Sequence, residues 1–324
     1  MQKAIRRGLP ELASRTIHEL HGVDPAWCRY RMAVIAFEDV AAGSPELVTE
    51  ITAGAWNKAH VEHSGGVEFM ALCGERMANA VKDRTPCNLF YAADFIPDFQ
   101  ARHGNLQELD ARTAMGVAGD TNGEWWERAL AIYRIAGKKA GSPIEVEGLE
   151  SPIDRICELF PKWKELITAG AKSQREWHHL GLGLSMEWQE TENATVTENH
   201  LENPMTGPWL SAAMDGHTRA GQQAIRDLIR AKHGPVSEME MLGLDREAIF
   251  HIVRRMLFWT EGEKVNIQKD YATARQILKD HRRFSLRQAG INPHFLLEHF
   301  GDPHDWQKAR ERMAPGIRTR KTNP

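Results

Sequence analysis

Nowhere in the 324 residues does an apolar run approach the roughly 20 needed to span a bilayer, and the first residues form no apolar signal segment. A soluble chain without membrane contact is expected. Cysteine is equally sparse: Cys28, Cys73, Cys87 and Cys157 lie far apart with no Cys-x-x-Cys pair, which argues against a zinc ribbon and a disulfide framework and fits a reducing cytoplasm. A nucleotide-binding P-loop is missing too. The run Ala136-Gly137-Lys138-Lys139-Ala140-Gly141-Ser142 holds the right letters in the wrong order, and its glycines read as a helix end and a loop. No Ser/His/Asp or Cys/His nucleophile signature stands out, so neither ATP turnover nor any cofactor is expected.

The apolar and charged shares, 42% and 26%, are those of an ordinary globular protein. At this length a chain tends to divide into two lobes. Helical periodicity dominates. Leu12, Thr16, Ile17 and Leu20 make one stripe, Gly22 to Pro25 a turn, and Met32, Ile35, Ala36 and Val40 a second stripe, together a helical hairpin. Further helices are expected from about Pro45 to His60, from the Ser64-Gly65-Gly66 break to about Lys82, and from Glu124 to Ala136. Residues 88–123 read as short helices and loop, and 137–151 as a linker. Ser151-Pro152 should open another helix, with Ser as N-cap and Pro in the first turn, until Pro161 breaks it. The fold class is therefore all-α, with lobes at 1–140 and 141–324.

Residues 176–215 carry seven acids and no Lys or Arg, together with Trp177, Trp188 and Trp209; a solvated insertion is the expectation, with a small hairpin around Thr195 to Thr197 as its only β-structure. Beyond it the charge inverts. Residues 219–324 hold 20 Lys and Arg against 13 Asp and Glu, whereas 1–218 hold 21 against 31. Arg254, Arg255, Arg282, Arg283 and Arg287 are the candidate DNA-binding residues of the basic part. The string Asp215-Gly216-His217-Thr218-Arg219 reads either as an anion site of His217, Thr218 and Arg219 at a helix N-terminus or as a plain N-cap. His178-His179, His294 with Glu298 and His299, and His304-Asp305 are the histidine groups that a metal site would draw on, against the plainer reading of surface and interface histidines.

The opening third also resembles a known family. Gln2, Lys3, Ile5 and Arg6, then Asp24 and Pro25, then Ala36, Glu38, Asp39 and Val40, then Pro45, Ala55 and Trp56, follow a pattern like that found after the ATPase module of clamp-loader-like AAA+ proteins. These are the relatives of replication-associated recombination protein A and Werner-helicase-interacting protein. The likeness continues through Glu68, Glu75, Arg76, Ala78, Ala80 and Lys82, departs at Ala41, where the family has Gly, and ends by Pro97. The resemblance implies an all-helical collar that assembles subunits, here without its ATPase. Trp27, Met32, Ile35 and Trp56 are then the candidate oligomer interface, with a homotetramer expected before a dimer. The function so implied is a non-enzymatic oligomeric protein of DNA replication, recombination or repair, with DNA and replication or repair proteins as candidate partners. Two alternatives stand beside it: an adaptor or inhibitor that imitates a collar to engage a partner ATPase, and a helical metal-dependent hydrolase using the His-rich segments.

Overall fold

In a computed structural model the described residues are 1–137, 151–173, 177–203, 205–206, 209–210, 213, 216–232 and 235–288. The fold is all-α. Its helices are α1 (Gln2–Arg6), α2 (Pro10–Val23), α3 (Pro25–Ile35), α4 (Pro45–Gly54), α5 (Lys58–His63), α6 (Val67–Asn79), α7 (Thr85–Leu89), α8 (Ile96–His103), α9 (Ala111–Gly119), α10 (Trp125–Ile135), α11 (Pro152–Leu159), α12 (Lys164–Ser173), α13 (Leu182–Thr191), α14 (Arg219–Ala231), α15 (Pro235–Met241), α16 (Arg246–Leu257) and α17 (Ala272–Gln288). Among the described residues four short strands accompany them: β1 (Thr195–Glu198), β2 (Met205–Thr206), β3 (Trp209–Leu210) and β4 (Ile267–Asp270). No helix among the described residues is long and apolar enough to cross a membrane.

Two compact units divide the chain, and the boundary is not near residue 140. The first comprises Met1–Asn199 together with Ile267–His281, the second His200–Asn266 together with Arg282–Pro324. Pairing explains the difference: β1 and β4 run antiparallel, Thr195 facing Asp270 and Glu198 facing Ile267, so the later segment returns to the first unit. The local hairpin expected around Thr195 is thus a long-range ribbon. Lys82 extends it through backbone bonds, its N–H to Ile267 and its carbonyl to the Lys269 N–H.

In the first unit the N-terminal hairpin forms as its sequence dictates. Asp24 ends α2 and caps α3, its carboxylate accepting from the Trp27 N–H at 2.9 Å, and Pro25 fills the first turn where no amide partner is needed. Ser151 likewise caps α11, with a reciprocal bond between Asp154 and the Ser151 amide. The acidic stretch departs from expectation. Its middle is α13, whose Leu182, Leu184, Met186 and Trp188 are buried, because charge on one face of the helix says nothing about the apolar side chains on the other. The linker expected at 137–151 lies largely outside the described residues. The second unit gathers α14, α15 and α16 around Ile225, Leu228, Val236, Met239, Ile249, Ile252, Val253 and Met256.

Candidate functional site

At the end of α3 the backbone widens into a single π-turn over Ala36–Val40, which directs the consecutive acids Glu38 and Asp39 inward. Five residues from three parts of the chain converge there. Asp39, fully buried, accepts from Arg6 Nε at 2.6 Å, Arg84 Nε at 3.0 Å and Gln2 Nε2 at 2.9 Å. Glu38 takes Arg6 Nη2 at 2.6 Å, and Arg31 holds Gln2 from the far side at 3.0 Å. Burial alone would raise the Glu38 pKa, but Arg6, His178 and Arg84, with a hydrogen bond from Gln2, bring it down to about 2. Two guanidinium groups thus balance two carboxylates, and the cluster is a closed ionic knot. Nearby, burial pushes the Cys87 thiol up to about 12, so this cysteine is a packing group and not a nucleophile.

The π-turn forces an unusual backbone immediately after it. Ala41 has φ 40° and ψ −125°, a conformation that favours glycine. It is the position where the resemblance breaks. Two residues on, a Cβ on Gly43 would lie 2.5 Å from the Val81 carbonyl oxygen and 2.6 Å from the Lys82 carbonyl carbon, so glycine alone lets these backbones approach. Lys82, inserted there, is buried; its ammonium donates to the Ala78 and Ala80 carbonyls at 2.7 Å each, and burial lowers its pKa to about 8.

A second polar knot centres on Asp83. Ser185 Oγ and Tyr271 OH both donate to Asp83 Oδ2, the latter at 3.1 Å, and Gln189 Nε2 adds a third bond at 2.7 Å. The Thr85 amide takes Oδ1 at 2.8 Å. Burial and then the Asp83 charge push the Tyr271 phenol well above its ordinary value. Serine, aspartate and tyrosine are all buried, so the arrangement clasps the β4–α17 segment to the unit rather than meeting a substrate.

On the surface, Trp27, Tyr30 and Trp56 form a row, with ring centroids 5.3 Å and 6.2 Å apart, and Arg31 stands 6.0 Å over Trp27. Trp27 is 50% and Trp56 38% exposed. Of the four residues expected at an interface these two are exposed, and the other two need correction: Met32 and Ile35 are wholly buried, because α4 and α12 of the same unit pack on α3. Tyr30, which joins the tryptophans, was not singled out by sequence; its i, i+3 spacing from Trp27 was the available signal.

The candidate DNA-binding arginines whose side chains are described are partly buried. Arg282 is ion-paired with Glu263 and lies 5.8 Å from the Trp259 ring centroid. Arg254, Arg255 and Arg283 are half-buried, Arg254 packing its stem over Gly216, while the Arg287 side chain lies outside the described residues. At the candidate anion site Thr218 Oγ1 accepts from the Gly221 amide at 3.0 Å as the cap of α14. His217 packs edge-on against Phe258, and Arg219 is exposed. That is the N-cap reading. His178 and His179 are buried, and no three metal-ligating side chains converge among the described residues. His294, Glu298, His299, His304 and Asp305 lie outside them.

Compared with protein-family models, curated proteins and solved structures, the chain matches none.

Proposed function

We propose that the chain is a non-enzymatic assembly module whose first unit self-associates through the Trp27–Tyr30–Trp56 row, serving a machine of DNA replication, recombination or repair. The observation that carries the self-association is this row of three aromatic rings on the surface of one helical unit. Tryptophan and tyrosine are the side chains that most often dominate protein interfaces, since each buries a large area at small entropic cost. Arg31, held by Gln2 and lying over Trp27, ties the row to the ionic knot behind it. That knot holds Glu38 and Asp39 of the π-turn into which α3 runs.

The assignment to DNA replication or repair rests on the resemblance of the first ninety residues to the clamp-loader collar. Gln2, Arg6, Glu38 and Asp39, which lie far apart in sequence and carry that resemblance, meet in a single cluster. Such a cluster would set the geometry of a collar-like surface. The test is the double variant Trp27→Ser/Trp56→Ser in light scattering with in-line size separation. The wild-type chain should form a multimer and the variant a 36.7 kDa monomer with unchanged helical circular dichroism. A variant that keeps the wild-type mass would refute the proposed interface.

A further inference from the structure

On α14 the residues facing away from the apolar core form one straight row. Arg219, Gln223, Arg226 and Arg230 are exposed and recur at steps of four, three and four, which keeps all of them within about 60° of arc along about 16 Å of helix. Ala224, Ile225, Leu228 and Ile229 occupy the opposite face. The row holds three guanidinium groups, one amide and no carboxylate. The helix's single acid, Asp227, stands beside it and accepts from Gln223 Nε2 and Arg230 Nη1, each at 2.9 Å, so that it orients two members of the row. Arg226 is steadied from below by the Phe250 ring, 5.6 Å away.

We propose that this row binds the phosphate backbone of a nucleic acid. Guanidinium forks match phosphate oxygens two at a time, and an amide N–H donates to the same acceptors. Over the length of the row a duplex presents roughly nine phosphate charges, more than enough to occupy three arginines at once. By sequence, the unit that carries the row has 17 Lys and Arg against 13 Asp and Glu, whereas the first unit has 24 against 31. Contacts made to phosphates alone carry no sequence information, so the binding should be indifferent to sequence. The inference does not depend on self-association.

The experiment is fluorescence anisotropy of the full chain with a labelled duplex of about 20 base pairs and arbitrary sequence. Three phosphate contacts predict a slope of about −2.7 in log K against log salt, or a loss of roughly 40-fold between 50 and 200 mM. Arg219→Gln/Arg226→Gln/Arg230→Gln should lose at least about tenfold in affinity at 50 mM and most of that slope. Because all three positions are solvent-facing, its thermal melt should match wild type. Lys58→Gln/Arg76→Gln/Lys162→Gln, the same charge change on the first unit, should bind as wild type does. Three results would overturn the proposal: no saturable binding at micromolar protein, a triple variant on α14 that binds normally, or displacement of the duplex by polyglutamate at equal charge concentration, which would point to an acidic protein partner. Light scattering of the same variants reads assembly separately.

Discussion

Asp39 shows how a single side chain can decide the stability of a helical unit. It is fully buried and accepts from Gln2, Arg6 and Arg84. Removing it leaves two guanidinium groups short of a partner, and breaking a buried charge pair in this way costs about 3 to 5 kcal/mol. Asp39→Ala should lower the urea midpoint by the equivalent amount, and a loss below about 1 kcal/mol would show that the knot contributes little. The neighbouring Glu38 gives the knot a pH signature. Its folded pKa, about 2, lies below its ordinary 4.5, so its stabilisation is fully present above pH 4.5 and disappears as pH falls toward 2. Glu38→Gln should flatten the acid limb of the stability curve across that window; an unchanged limb would contradict the assignment. Ala41 and Gly43 test the backbone around the same turn. Ala41→Gly relieves about 1 to 3 kcal/mol of strain while losing about 1 kcal/mol of buried methyl and up to about 1 kcal/mol of chain entropy, a net of about −1 to +2 kcal/mol, so the melting temperature should fall by no more than a few degrees. Gly43→Ala meets backbone atoms that cannot rotate aside and should destabilise by more than about 2 kcal/mol.

At the scale of elements, what could be read in sequence was what depends on neighbours three or four residues apart. The turn over Gly22 to Pro25, the Ser151 cap, and the helix expected from Glu124 to Ala136 and found as α10 follow from such local patterns. Sequence separation hid the rest. β1 is four residues with only Val196 apolar among them facing outward, and its partner begins at Ile267; no local pattern can name it. Arg6 and Asp39 lie 33 residues apart, and Asp83 and Tyr271 lie 188 apart, so both polar knots come from tertiary folding. Met32 and Ile35 were placed at an interface because a stripe shows only that a face is covered, not by which chain. The ribbon makes its own prediction. Because Glu198 directly faces Ile267, replacing residues 199–266 by Asn-Gly closes a two-residue hairpin. A chain so joined and ended at His281 should unfold in one cooperative transition with native helical content. A non-cooperative melt would mean that the first unit needs the second.

For the whole molecule the opposition of charge survives the redrawn boundary, with 24 positive against 31 negative groups in the first unit and 17 against 13 in the second. Aromatic surface lies on the acidic unit and the arginine row on the basic one, so the proposed self-association and the proposed polyanion binding fall on different parts of the chain. Salt separates them in practice: high ionic strength should release a nucleic acid while leaving an aromatic interface in place, because apolar burial is not screened. Self-association is the central claim, and the absolute mass of the wild-type chain at micromolar concentration, measured by light scattering in 0.5 M salt, tests it most directly. A particle of two or more chains, a tetramer before a dimer, is the expected result; a 36.7 kDa monomer across the concentration range would contradict it.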